Sequence, residues 1–135
     1  RRGRPALAEA GLSIRDIHLH TIKPFDHRQL LDQIGSVRHG VVTLENHVTE
    51  GGVGSLVAEC MADAGVGKRL VRLGLKDTYA HGGSRAYLMR YYGLDALALV
   101  SGIEDLMGQQ FGITENHLAA ARVDDVHSLA KAEAL

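Results

Sequence analysis

Read from its N-terminus, the chain alternates between helix-like and strand-like apolar spacing. "ALAEAG" has the look of a helix's last turns stopped by Gly11, and "SIRDIHLHTI" follows with Ile14, Ile17, Leu19 and Ile22 in a β-like setting. Pro24 blocks further pairing. Asp26 stands at an N-cap position with Gln29 three residues on, which predicts a helix through Leu30, Leu31 and Ile34. "GVVTLEN" then predicts a strand. A helix over roughly residues 53–64 carries Leu56, Val57, Cys60 and Met61 on one face and ends near Gly65, and "RLVRLGL" predicts a further strand.

Strands separated by helices of this length imply parallel βαβ units with helices on both sheet faces. The expected class is α/β, a three-layer α/β/α arrangement with a mostly parallel sheet and strands near 13–21, 40–46 and 68–75. Beyond "KDTYAHGGS", Ser84 can cap a short helix through Tyr87, Leu88 and Tyr91, and Asp95 another through Leu99, Ile103 and Leu106. From Thr114 the chain is Ala-rich, with Leu118, Val123, Val126 and Leu129 as apolar positions, and reads as one or two amphipathic helices. Residues 1–108 are thus expected to form the α/β domain and residues 109–135 a helical extension.

Composition narrows the classes of function. The chain has 135 residues, 45% of them hydrophobic, which fits one globular domain with a modest core. Fifteen basic against sixteen acidic residues, without long runs of either sign, give no footprint for nucleic acid or an anionic membrane. No apolar run is long enough to span a bilayer. The one cysteine, Cys60, falls on an apolar helix face and cannot form an internal disulfide, so a cytoplasmic location is expected. The sequence opens without methionine inside a helical pattern, as a piece of a longer polypeptide or a split subunit would.

The stretch "TLENHVTEGGVGS" is the candidate site. A strand leading through glycines into a helix offers free backbone N–H groups and a helix dipole, the means of binding phosphate. Yet "GGVGS" is neither of the glycine motifs that cradle dinucleotides or nucleoside triphosphates, and no lysine is in place. The structural reading is that Gly51 and Gly52 permit φ > 0 at the corner, while Gly54 lets the helix approach the sheet. Glu45, Asn46 and His47 lie at the strand-to-helix edge where α/β folds place ligands. They either bind something or tie down the corner and an interface. Eight histidines raise a metal reading, with His18 and His20 two apart on a predicted strand, but the further ligands such a centre needs are missing. Ser55, Ser84 and Cys60 occur without a nucleophile signature.

Three segments, "IRDIHLHTIKPFD", "VVTLENHVTEGGVGSLVAE" and "RLGLKDTYAHGGSRAYLMRYYGLDALALV", together resemble the C-terminal domain of transketolase and its thiamine-diphosphate-dependent relatives, most closely the C-terminal subunit of split bacterial transketolases. The resemblance covers roughly residues 6–107. It implies a domain that supplies packing and subunit contacts to an enzyme transferring a two-carbon ketol unit between sugar phosphates. In such enzymes an N-terminal domain holds the diphosphate and its Mg²⁺, and a middle domain holds the aminopyrimidine. By the resemblance this chain has no catalytic, cofactor or metal residues of its own. Glu45, Asn46, His47, Gly51, Gly52, Gly54 and Ser55 are then corner or interface residues, and the partners are the thiamine-binding domains or subunit in a homo- or hetero-oligomer. Similar domains end 1-deoxyxylulose-5-phosphate synthases and the β subunits of 2-oxoacid dehydrogenases. A free-standing module binding a small anion at the 45–55 corner is the alternative from another class. The family's opening strand, which lies inside the sheet, has no counterpart in the sequence. A reduced sheet with an exposed or partner-filled position is therefore expected.

Overall fold

Two apolar runs make the centre of the molecule. In the computed structural model, which describes residues 4–119, "GVVTLENHV" forms β1 (Gly40–Val48) and "RLVRLGL" forms β2 (Arg69–Leu75), paired in parallel with Val41 opposite Leu70 and Leu44 opposite Leu73. The element order is α1 (Arg4–Glu9), α2 (His27–Ser36), β1, α3 (Val53–Asp63), β2, α4 (Arg85–Tyr91) and α5 (Ala96–Met107). Residues 115–119 are helical as well. The rest of the expected tail, with Val123, Val126 and Leu129, lies outside the described residues.

The alternation of a strand places successive side chains on opposite faces, and both faces are covered. Val41 and Leu70 pack against a cluster built from Leu30 and Ile34 of α2 and Val57, Cys60 and Met61 of α3. The opposite face meets α5, where Leu73 reaches Gly102 and Gly40 reaches Leu106. Helices α2 and α3 thus form one layer, the two strands the second and α5 the third. Burial and, secondarily, the nearby Asp63 carboxylate push the Cys60 thiol pKa up, so it stays protonated core.

Two adjacent cations at the start of β2 join the layers. The Lys68 ammonium donates to the Ile34 carbonyl at 2.7 Å, to the Gly35 carbonyl at 3.0 Å and to the Val37 carbonyl, closing the C-terminus of α2. Arg69 donates to the Asp105 carbonyl at 2.6 Å and to its carboxylate at 3.0 Å, closing α5 on the other side. Cations at helix C-termini offset the carbonyl end of the dipole. The exposed Arg69–Asp105 pair adds little beyond that.

The N-caps form as the sequence implies. Asp26 accepts from the Gln29 amide at 2.9 Å, Ser84 from Tyr87 at 3.3 Å and Asp95 from Ala98 at 2.9 Å. Gly11, Gly65 and Gly108 take left-handed φ angles of 81°, 65° and 65° where α1, α3 and α5 end.

One expectation is corrected here. Residues 13–21 are not a strand. Among the described residues β1 pairs only with β2, so this segment has no neighbour for its backbone; it runs irregularly beside α2 with Ile17 and Ile22 exposed, while Leu19 still packs on the core. Among the described residues the sheet accordingly has two strands rather than three. The Ser84-capped helix α4 forms as expected, with Tyr87 and Tyr91 exposed and no buried residue.

The contact of α5 with the sheet gives a paired prediction. A Cβ on Gly102 would lie 3.0 Å from a Leu73 methyl, so Gly102→Val should cost about 1–3 kcal/mol by overpacking. Gly35, in α2 with open space around its Cα, should tolerate alanine and gain about 0.5–1 kcal/mol. Urea unfolding of both variants checks the contrast, and a neutral Gly102→Val would mean that α5 does not press on β2 as described.

Candidate functional site

The corner begins with an irregularity in β1. Leu44 pairs with Leu73 and Val48 with Leu75, so three residues, Glu45, Asn46 and His47, stand opposite the single Gly74. A bulge of this kind re-aims side chains. It requires Gly74, because a Cβ there would come 2.8 Å from the His47 carbonyl and 2.9 Å from a Thr49 methyl.

Glu45 turns inward to the start of α3. Its carboxylate accepts from the Val53 amide at 2.7 Å and the Gly54 amide at 2.8 Å, taking two of the helix's free N–H groups at the positive end of its dipole. Gly52, the N-cap residue, has no side chain to do this, and none would fit, since a Cβ on it would collide with the Glu45 carboxylate. Its φ of −88° corrects the expectation of a positive angle at Gly52. Gly51 does take the left-handed region, at 74°. Gly54 lies where a Cβ would sit 2.9 Å from Thr43 Oγ1 and 3.0 Å from Arg72 Cδ, so α3 enters the sheet face through a glycine.

Ser55 and Arg72 complete the network. Ser55 Oγ accepts from the Gly51 amide at 3.0 Å and donates to the Thr49 carbonyl at 2.9 Å. One Arg72 nitrogen donates to the same carbonyl and to Ser55 Oγ. The Thr49 amide donates to the Leu75 carbonyl at 2.9 Å, tying the end of β1 to β2. Asn46 and His47 are exposed, and His47 Nδ1 meets only the neighbouring Val48 carbonyl, at 3.1 Å.

The structure therefore gathers Glu45, Gly51, Gly52, Gly54 and Ser55, adds Thr49, Arg72 and Gly74, and leaves Asn46 and His47 outside. Nothing in "RLVRLGL" marked Arg72 or Gly74, whose roles depend on a bulge in the other strand. An open depression of about 360 Å³ beside the corner is lined by Thr49, Glu50, Arg72, Lys76 and Asp77, two cations facing two carboxylates. It offers no one-sign pocket for an anion. His18 and His20 are exposed on an irregular segment, and among the described residues no group of three or more His, Cys, Asp or Glu side chains is placed to hold a metal ion.

The start of α3 is thus filled by the protein's own carboxylate. The family model of the transketolase C-terminal domain matches residues 5–99. The chain belongs to the transketolase C-terminal domain family. Among its relatives, a Methanocaldococcus jannaschii protein whose name marks it as a transketolase C-terminal section is 36% identical over 104 residues, 77% of this chain and 32% of that one. A 1-deoxy-D-xylulose-5-phosphate synthase of Acidovorax ebreus is 39% identical over 118 residues, 87% of this chain and 18% of the relative. A solved structure titled as a split gene transketolase, inactive beta4 tetramer, superposes with a TM-score of 0.69 at 27% identity, covering 79% of this chain and 34% of that one. The chain thus spans about a third or less of the length of these proteins.

The carboxylate cap is open to test. Glu45→Ala should cost about 1–2 kcal/mol, the worth of a good N-cap. It should also vacate the amides of Val53 and Gly54, so that inorganic phosphate raises the melting temperature of the variant more than that of the parent. Equal phosphate effects on both would show that Glu45 does not occupy the helix end. Beneath Gly54, Thr43 Oγ1 is buried without a hydrogen-bond partner among the described residues. Thr43→Val, which removes that hydroxyl at constant shape, should be neutral or stabilising by up to roughly 1 kcal/mol in the same melts.

Proposed function

We propose that this chain is the C-terminal domain or subunit of a thiamine-diphosphate-dependent transketolase, acting in the transfer of a two-carbon ketol unit between sugar phosphates, and that its part is assembly and support. The observation that carries the reading is the occupied corner. At the C-terminal end of the parallel strands, where an α/β fold would receive a diphosphate, the helix amides are taken by Glu45, whose negative charge repels a second anion. The residues present do not fit a metal–diphosphate group. The sequence also lacks the G-D-G-centred motif that the cofactor's holders carry in this family. The cofactor belongs to partner domains, which aim its reactive carbon.

The sheet supports a role in assembly. Parallel sheets are buried elements, and here the edge of β1 away from β2 has no strand beside it among the described residues. A strand from a partner domain or chain fills that position in this reading. The neighbour titled a beta4 tetramer supports copies of this chain as further partners in this reading.

A second reading, the C-terminal domain of a 1-deoxyxylulose-5-phosphate synthase, is supported by the Acidovorax ebreus relative and by a Syntrophotalea carbinolica synthase 36% identical over 107 residues. One experiment separates these possibilities. Titration of the chain with thiamine diphosphate and Mg²⁺ should give no heat of binding. Ketol transfer should appear only when thiamine-binding N-terminal and middle domains are added as a separate chain. Stoichiometric cofactor binding or turnover by this chain alone would overturn the reading, and reconstituted formation of 1-deoxyxylulose 5-phosphate in place of ketol transfer would select the second.

A further inference from the structure

All four tyrosines of the chain fall between positions 79 and 92, and none is in the core. Aromatic rings are the largest apolar payload a chain has, yet no buried core residue among those described is aromatic. Tyr79 is fully exposed, Tyr91 is 63% exposed and Tyr87 49%. Tyr87, Tyr91 and Tyr92 are nevertheless ordered around one imidazole, and Tyr79 joins them through its carbonyl, which accepts from the Tyr92 hydroxyl at 3.4 Å. The Tyr92 hydroxyl accepts from the His81 amide at 3.1 Å and meets its Nδ1 at 2.9 Å, while the Tyr87 hydroxyl meets Nε2 at 3.2 Å. The His81 ring stands edge-on to Tyr91, centroids 4.8 Å apart at 89°, and Tyr91 in turn packs on Tyr92 at 4.9 Å. Gly83 leaves room for the Tyr87 ring, which a Cβ there would approach to 2.8 Å. A hydroxyl both donates and accepts, so either tautomer of His81 satisfies the cluster.

We infer that the His81–tyrosine cluster is a contact surface between copies of this chain. The inference rests on the assembly reading above and deepens it by naming the surface. Preordered, exposed tyrosines are the residues that dominate protein contacts, because they bring area at low entropic cost. Self-complementarity points to a second copy rather than to a charged partner. Arg90 is neutralised by Glu115, and Lys76 is followed by Asp77. The remaining polar groups are mostly hydroxyls, each able to play donor or acceptor to its symmetry mate, as a two-fold contact requires. Arg85 can lie over a tyrosine ring of the other copy. The exposed rings offer on the order of 400 Å², about half of one side of a standard interface. The contact therefore draws in neighbouring residues and is of micromolar rather than nanomolar strength.

The composition supplies the probe. With no tryptophan, and with three tyrosines in the cluster and the fourth, Tyr79, exposed beside it, the chain's intrinsic fluorescence reports on this surface alone. Sedimentation of the whole chain from about 1 to about 200 µM should show self-association in the micromolar range. Over the same range, iodide quenching of tyrosine emission should fall as the rings are covered. Tyr79→Ser, at a fully exposed position whose loss costs the fold little, should weaken association about fivefold or more. A parent that stays monomeric throughout overturns the proposal. So does association with unchanged quenching, which would place the contact on another face, or association untouched by Tyr79→Ser. None of these outcomes bears on cofactor binding or reconstituted ketol transfer, so the two readings fail separately.

Discussion

The two hydrogen bonds from the start of α3 to the Glu45 carboxylate are the constraint on which the corner depends. They fix where the helix enters, since a helix whose first amides must meet a particular side chain cannot slide along the sheet. Strand alternation already puts Glu45 on the α3 face with Val41 and Thr43, and β1 bulges around it while the strand continues to Val48. The bulge requires Gly74 opposite it, and the carboxylate requires Gly52 beside it. Two glycines on different segments thus accompany one carboxylate contact. A charge-assisted bond of this kind is stronger than a neutral cap, and it turns a surface disposed to bind anions into one closed to them.

Farther along the sheet, Lys68 and Arg69 do the converse for carbonyls. Successive residues of an extended chain point to opposite sides, so two adjacent cations reach the C-termini of helices in different layers. The parallel pair therefore has a carboxylate holding an N-terminus at its C-terminal end and cations holding C-termini at its N-terminal end. Each contact follows the helix dipole, and together they orient α2, α3 and α5 about only two strands.

How much of this the sequence disclosed follows from range. Asp26, Ser84 and Asp95 cap helices three residues away, and the left-handed glycines lie beside the helices they end; such contacts need nothing beyond local spacing. The layers and the parallel pairing were legible in the alternation of apolar periods. Glu45 is eight residues from Val53, and its bond to α3 depends on how the chain turns back after β1, which the pattern "VVTLENHV" does not announce. The segment 13–21 has the composition of a strand, but strand structure is a property of a pair, and no partner strand lies beside it among the described residues. The helix through Tyr87 and Tyr91 was legible, but not that their rings would meet His81 and one another on the outside. The available signal was the confinement of every tyrosine to fourteen positions.

In the supporting role proposed above, these features would keep the domain apart from an enzyme's chemistry. A catalytic cofactor site needs amides or cations left unsatisfied until the ligand arrives, and such groups cost stability in its absence. At this corner the amides of Val53 and Gly54 and the carbonyls near the ends of α2 and α5 are satisfied by the chain's own charges. Among the described residues, apart from the Thr43 hydroxyl beneath Gly54, what stays uncovered is the free edge of β1 and the exposed tyrosines. A backbone edge and aromatic surface are what another polypeptide can cover, and neither is suited to a diphosphate. The physical division within the chain, closed toward small anions and open toward protein, is the division of labour expected of a supporting domain.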